Sequence, residues 1–249
     1  VVREVLYGRQ PVRECLRARR RHIHQLILAE GVGETGVVGE ILGLAAGLKV
    51  PARHALRPQL DRIAEAHQGV ALEVADYPYA AVDDILAWAR KRAERPFVLA
   101  LDHLQDPHNL GALLRSAEVV GAHGAIIPGR RAVGVTPAVV SASAGASEHL
   151  RVAQVANLVH ALEALKKDGI WIVGLENVPE ARPYHQVDLN LPLALVIGAE
   201  GTGLSRLVRE TCDWLICLPM HGQIGSLNAS VAGGIALYAA LAARGFSPE

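Results

Sequence analysis

Three short stretches of this 249-residue chain carry polar side chains that their surroundings do not require. In the first, at 101–115, an apolar strand ends, a polar loop follows, and Asn109 stands where a helix N-cap is expected. Leu110, Leu113, Leu114 and Ala117 then recur at helical spacing. Arg115 falls off that stripe, four residues after Gly111. A guanidinium there can reach a cleft and grip an oxyanion or a phosphate; the same spacing lets it pair with Glu118 on the surface. The second stretch, at 195–204, places Gly198, Gly201 and Gly203 after an apolar strand, with Glu200 among them. Glycines there permit tight turning and close backbone approach to a ligand. The spacing is neither the dinucleotide fingerprint nor a P-loop, and Glu200 would repel phosphate. In the third, at 218–234, Ser226 is placed to cap a helix and Asn228 lies in its first turn, as a second capping group or a site residue. Gly233 and Gly234 inside that helix cost about 1 kcal/mol each, which predicts that another backbone passes close by.

The surrounding elements must bring these stretches together. From 97 onward the pattern is strand, loop, helix, repeated, with apolar strands at 97–101, 125–127, 170–174, 193–197 and 214–218 and helices at 109–121, 155–168 and 227–243. Continuous apolar strands alternating with helices predict a parallel sheet covered on both faces. Each polar stretch follows a strand, and open α/β sheets bind ligands at the carboxyl ends of their strands. The first 75 or so residues read as a smaller α/β unit. It has strands at 4–7, 23–28, 50–52 and 70–74, a helix of about ten residues after Pro11, a helix at 34–48 and a short one near 58–64. Between the two, Tyr77-Pro78-Tyr79 breaks structure and a polar helix at 83–95 is stopped by Pro96. The expected division is a domain at 1–76, a linker at 77–95 and a second domain at 96–249.

Composition narrows the function classes. With 51% apolar and 20% charged residues a large core can be buried, and with 4% aromatics it must be built from Ala, Val, Leu and Ile. No apolar run approaches the roughly 18 residues of a membrane span. The stretch 1–21 is arginine-rich without an apolar signal core, so a cytoplasmic location is expected; Val1 stands where an initiator methionine is expected. Three cysteines without a CxxC pair, and eleven histidines without HExxH spacing, give no metal site and no disulfide framework. Net charge is +0, but Arg13, Arg17, Arg19, Arg20 and Arg21 face only Glu14 in their stretch. That cluster reads either as a solvated helix end or as an RNA-binding, phosphate-contacting patch.

In this order, Asn-Leu-Gly-Ala-Leu-Leu-Arg-Ser-Ala, Ile-Gly-Ala-Glu-Gly-x-Gly and Leu-Pro-Met…Ser-Leu-Asn-Ala-Ser-Val-Ala resemble the three motifs of the SpoU/TrmH family of RNA ribose 2′-O-methyltransferases, of the SPOUT class, over about 97–243. The N-terminal 75 residues look like the ribosomal-protein-like RNA substrate-binding domain of several members. The resemblance implies an α/β fold with a SPOUT-type parallel sheet and a C-terminal trefoil knot, a homodimer, and S-adenosyl-L-methionine as cofactor. It implies that Gly198, Leu218 and Leu227 hold the cofactor largely through backbone, with Ile197, Gly201, Pro219 and Asn228 lining the same region. It assigns Arg115 the central catalytic role, with Asn109, Glu200, Ser226 and Asn228 orienting it or the reacting group. The pattern is nearest to bacterial members that methylate a guanosine in the peptidyl-transferase P loop of 23S rRNA, so that rRNA is the expected partner. A tRNA ribose methyltransferase and a non-catalytic RNA-binding assembly protein of the same fold are the alternatives.

Overall fold

The computed structural model describes residues 3–245. They form two compact units, one running to Pro78 and including Val135–His149, the other made of Tyr79–Gly134 and the chain from Leu150 onward.

The first unit contains β1 (Arg3–Tyr7), α1 (Arg9–Ala18), β2 (Ile23–Ala29), α2 (Val37–Gly47), β3 (Ala52–Ala55), α3 (Arg57–Asp61) and β4 (Val70–Ala75). Its sheet has the order β1-β4-β2-β3, antiparallel except for the β2–β3 pair. The third strand lies two residues later than the spacing suggests. A turn closed by Lys49 in the left-handed region separates it from α2.

The second unit begins with α4 (Val82–Lys91), β5 (Phe97–Asp102), α5 (Pro107–Val119) and β6 (Gly124–Pro128). The chain then supplies α6 (Pro137–Ala142) and a 3-10 turn (Ala146–Glu148) to the first unit. Back in the second unit follow β7 (Val152–Val155), α7 (Leu158–Lys167), β8 (Trp171–Leu175), β9 (Arg182–Pro183), β10 (Leu193–Gly198), α8 (Arg206–Thr211), β11 (Trp214–Cys217) and α9 (Ala229–Ala243). The seven strands form one sheet of order β7-β6-β5-β10-β8-β11-β9, and every pair is parallel. β5 and β10 are buried on both faces, as continuous apolar strands in a covered parallel sheet must be.

The structure departs from the expected elements where an apolar run hides a boundary. Residues 152–155 are strand, and α7 starts only after Asn157, whose Oδ1 caps it by accepting from the His160 amide at 3.3 Å. α6, α8 and β9 have too few residues to show a periodicity. At its far end α9 is fastened by Arg244, which donates to the carbonyls of Arg95, Pro96 and Leu191 and lies 4.7 Å over the Phe97 ring.

The N-terminal arginines are mostly committed within their own unit. The Arg21 side chain is fully buried, donating to both carboxylate oxygens of Glu148 at 3.0 and 2.7 Å and to Glu4. Its assignment to an RNA-contacting patch is therefore corrected: the guanidinium offers no surface to a phosphate. Arg13 and Arg17 pair with Glu14 and Glu40, and Arg20 donates to the carbonyls of Glu148 and Pro78. Burial also holds the Cys15 thiol protonated and pushes the Cys212 thiol up to about 12, so both are unreactive.

Candidate functional site

The three polar stretches meet at the carboxyl edge of the seven-stranded sheet. α5 begins earlier than the sequence suggests. Asp106 is its cap, accepting from the amides of His108 and Asn109, and Pro107 occupies the first turn, where a missing N–H costs nothing. Asn109 is thereby relieved of capping and is buried with its amide turned toward the other two stretches. Asn109 Nδ2 donates to Glu200 Oε1 at 2.7 Å. Asn228 Nδ2 donates to the same Glu200 oxygen and to Asn109 Oδ1 at 3.0 Å. α9 starts at Ala229, so Asn228, not Ser226, is its cap, and Asn228 Oδ1 accepts from the amides of Ser230 and Val231 at 2.9 and 3.2 Å. One asparagine thus fills both roles that its position allows: its oxygen caps the helix while its nitrogen joins the cluster.

Beside this cluster lies a cavity of about 500 Å³ at the ends of β8, β10 and β11, a size that suits a small-molecule ligand. Its wall includes Ile197, Gly198, Glu200 and Gly201 from the second stretch and Leu218, Ser226, Leu227 and Asn228 from the third. Pro219 is not on the wall, where Met220 stands instead. The loop after β10 folds back on itself, Ala199 and Gly203 exchanging backbone hydrogen bonds at 3.2 and 2.9 Å. A Cβ on Gly198 would fall 2.2 Å from the Gly203 carbonyl carbon, so only glycine leaves that loop room to close.

A fourth stretch escaped the sequence reading. Leu175, Glu176, Asn177 and Val178, which follow β8, also line the cavity. Glu176 Oε1 accepts from Arg209, while Oε2 is buried and takes no hydrogen bond among the described residues. Asn177 Nδ2 donates to the Gly225 carbonyl at 3.2 Å, tying this stretch to the third. The signal available was positional: these residues follow a buried parallel strand, as Gly198 and Leu218 do.

The charge on the wall is one-sided. Glu176, which pairs with Arg209 behind it, and Glu200 line it, and among the described residues no lysine, arginine or histidine does. Such a wall favours a cationic ligand and disfavours a phosphate-bearing one. S-adenosylmethionine, net cationic with a sulfonium and an ammonium against one carboxylate, and with a flat adenine ring for the Leu175, Ile197, Leu218 and Leu227 surfaces, fits this donor set. The uncommitted Glu176 oxygen can accept from a ligand hydroxyl.

Arg115 stands apart from the cluster. It is exposed on α5, pairs with no acidic group among the described residues, and is not on the cavity wall. Val119, one turn further along the same side, is 58% exposed, and α9 shows an apolar stripe to solvent through Val231, Ile235 and Tyr238, with Leu227 exposed just before its cap.

Comparison with known proteins agrees with this geometry. Residues 96–238 match the SpoU rRNA Methylase family, and residues 5–80 match a family described as RNA 2′-O ribose methyltransferase substrate binding. A Bacillus subtilis relative, described as the putative TrmH family tRNA/rRNA methyltransferase YacO, is 45% identical over 94% of each chain. Among solved structures, the SpoU methyltransferase AviRb from Streptomyces viridochromogenes, in complex with AdoMet, superposes with a TM-score of 0.81 at 24% identity, over 97% of this chain and 90% of that one. The TrmH/SpoU tRNA modifying enzyme of A. aeolicus superposes with a TM-score of 0.54 at 31% identity, over 60% of this chain and 75% of that one.

Proposed function

The chain belongs to the SpoU/TrmH family of S-adenosylmethionine-dependent RNA methyltransferases, and from that premise we propose that it methylates the ribose 2′-oxygen of a guanosine in 23S rRNA, in the peptidyl-transferase P loop. The observation that carries this reading is the joining of Asn109, Glu200 and Asn228 beside an acid-walled cavity. The substrate-binding match over residues 5–80 favours rRNA over tRNA, since the tRNA-modifying relative aligns with only 60% of the chain.

When bound, S-adenosylmethionine supplies a methyl group activated by its sulfonium. The residues must position a ribose hydroxyl in line with it and manage that hydroxyl's proton. Positioning alone is worth at best about 7–11 kcal/mol. Asn109 and Asn228 both spend amide donors on Glu200 Oε1, leaving the second Glu200 oxygen to hold the hydroxyl proton and aim the oxygen. Ser226, on the cavity wall, offers a hydroxyl for the same orientation. Ile197, Gly198, Gly201, Leu218 and Leu227 form the cofactor's bed. Arg115 is a permanent cation and serves as the group that stabilises the developing alkoxide or anchors the adjoining phosphate. The products are 2′-O-methylguanosine and S-adenosylhomocysteine.

The exposed position of Arg115 and the apolar stripe on α9 support a homodimer that buries this face and completes the site. The self-closing loop after β10 and the thin face of α9 support the knot that the resemblance implies. The deciding experiment maps ribose methylation by mass spectrometry in rRNA and tRNA from cells with and without the gene. Loss of one 2′-O-methylguanosine in 23S rRNA is the expected result; an unchanged rRNA map with a missing tRNA mark would move the substrate to tRNA.

A further inference from the structure

A second cavity lies on the same carboxyl edge of the seven-stranded sheet, over the ends of β5, β6 and β7. Its volume is about 510 Å³. Its wall carries His103, Arg130, Arg131 and Arg206 and, among the described residues, no carboxylate, the reverse of the acid-walled cavity over β8, β10 and β11. One loop divides the two: Gly198–Gly203 face the acidic cavity, and the residues from Ser205 to Val208 face the basic one. With neighbouring strands about 4.8 Å apart, the cavity centres lie roughly three strands, or ~14 Å, from each other.

The basic groups are not equally available. Arg206 pairs with Glu210 at 2.8 Å on the surface. His103 Nδ1 is engaged by the buried Asp102, which also accepts from the Ser205 amide at 2.6 Å, so the ring is held in place with Nε2 as its remaining polar atom. Arg130 and Arg131 are exposed and have no acidic partner among the described residues. His103 and Arg131 both sit in the left-handed backbone region, with φ of 59° and 55°, a conformation non-glycine residues adopt at a cost. The floor between these charges is apolar, with Pro128, Val159 and the half-exposed Leu207. α7, ten residues long and opening at Leu158 on the wall, adds the positive end of its dipole.

We infer that this cavity is a nucleotide subsite for the substrate RNA, gripping the phosphate and base of a residue that flanks the methylated one. Arg130 and Arg131 take the phosphate oxygens. The His103 ring and the Leu207 surface take the flat face of an unstacked base, as single-stranded RNA is commonly held. Opposite charges on adjoining cavities sort the two ligands: the cationic cofactor is drawn to one and the polyanionic strand to the other. This inference rests on the RNA methyltransferase reading, and its test is arranged so that either can fail alone.

The test compares the full-length protein with the double variant Arg130→Gln/Arg131→Asn, asparagine being chosen because it tolerates the left-handed backbone. Binding to unmodified 23S rRNA and tRNA transcripts is measured by fluorescence anisotropy with S-adenosylhomocysteine present, across a salt series. Methyl transfer to the same transcripts is measured separately, and cofactor affinity by calorimetry. The expected result is roughly tenfold weaker RNA binding at low salt, and a plot of log affinity against log salt shallower by about 0.7, for one single-strand phosphate contact. KM for RNA should rise while kcat and cofactor affinity hold. An unchanged salt slope and KM in the variant would overturn the subsite, as would a wild-type protein that binds neither transcript. Wild-type binding with the altered slope but no methyl transfer would keep the subsite and overturn the catalytic reading.

Discussion

The polar cluster shows how far single residues could be read from their types. Asn109, Glu200 and Asn228 stand out in the sequence because each is more polar than its element needs, and hydrogen bonds join all three. Glu176 gave no such sign, since an acid after a strand is ordinary in a surface loop and its burial depends on the fold of distant segments. Arg115 is the sharpest test at this scale. Arg115→Lys keeps the charge but loses the planar fork of donors. Turnover should fall at least a hundredfold in a steady-state methylation assay, while calorimetry finds cofactor affinity unchanged. Near-normal turnover would remove Arg115 from the mechanism. Gly198 makes the opposite prediction. In Gly198→Ala the new methyl meets Gly203 backbone at 2.2 Å and cannot be relieved by a rotamer change. Cofactor affinity should drop by tenfold or more, read by the same calorimetry, with the far-ultraviolet circular dichroism spectrum retained.

At the scale of elements, strands and long helices were legible, and their ends were not. The two site helices are instructive. Asn109 and Ser226 are both good capping types, but Asp106 and Asn228 won the caps, because Pro107 fits only the first turn and because Asn228 faces the amides of Ser230 and Val231. A shift of the cap by three residues in α5 and two in α9 decides which side chain is spent on the backbone and which is left for chemistry. The expectation of a close backbone is not met: what comes nearest to the α9 glycines is side chain, and it crowds only Gly233. A Cβ on Gly233 would fall 2.4 Å from Leu113 Cδ2, and Leu113 is itself fully buried, whereas one on Gly234 would meet nothing nearer than Ser116 Oγ at 3.8 Å. Gly233→Ala should therefore destabilise by roughly 1–3 kcal/mol through overpacking. Gly234→Ala should be neutral or stabilising by up to about 1 kcal/mol through helix propensity. Urea unfolding of the two variants separates them, and equal effects would mean that α5 and α9 do not pack as described.

For the molecule as a whole, periodicity gave the parallel sheet but could not give its strand order, in which β8 lies between β10 and β11, nor the return of Val135–His149 to the first unit. Both depend on pairings between residues far apart in the chain. The buried Arg21–Glu148 pair is one such pairing, and the N-terminal arginine cluster looked like a surface feature because its partner lies 127 positions away. Removing one member leaves an uncompensated buried charge, so Arg21→Met should lower the unfolding free energy by about 3–5 kcal/mol. A loss below 1 kcal/mol would place the pair in solvent.

The response of the whole fold to acid follows from a buried histidine in the second unit. His123 Nδ1 accepts from the Phe97 amide at 3.0 Å, and Nε2 lies 3.0 Å from Glu94 Oε2, so the neutral ring satisfies both neighbours. Burial lowers its pKa below the ordinary 6.5, outweighing the attraction of Glu94. The unfolded chain therefore takes up this proton at a higher pH than the native one does. The stabilisation is complete above about pH 6.5 and is lost as pH falls through 6.5 toward the lowered native value. Glu94 acts in a lower window: the hydrogen bond from Arg92 holds its carboxyl below 4.5, and that contribution disappears as pH drops beneath 4.5. A plot of the thermal midpoint against pH should thus decline in two stages on the acid side. His123→Gln supplies an acceptor for Phe97 and a donor for Glu94 without a titrating group, so it should flatten the first stage and leave the second. If the variant declines between pH 7 and 5 as steeply as the wild type, some other group controls that limb.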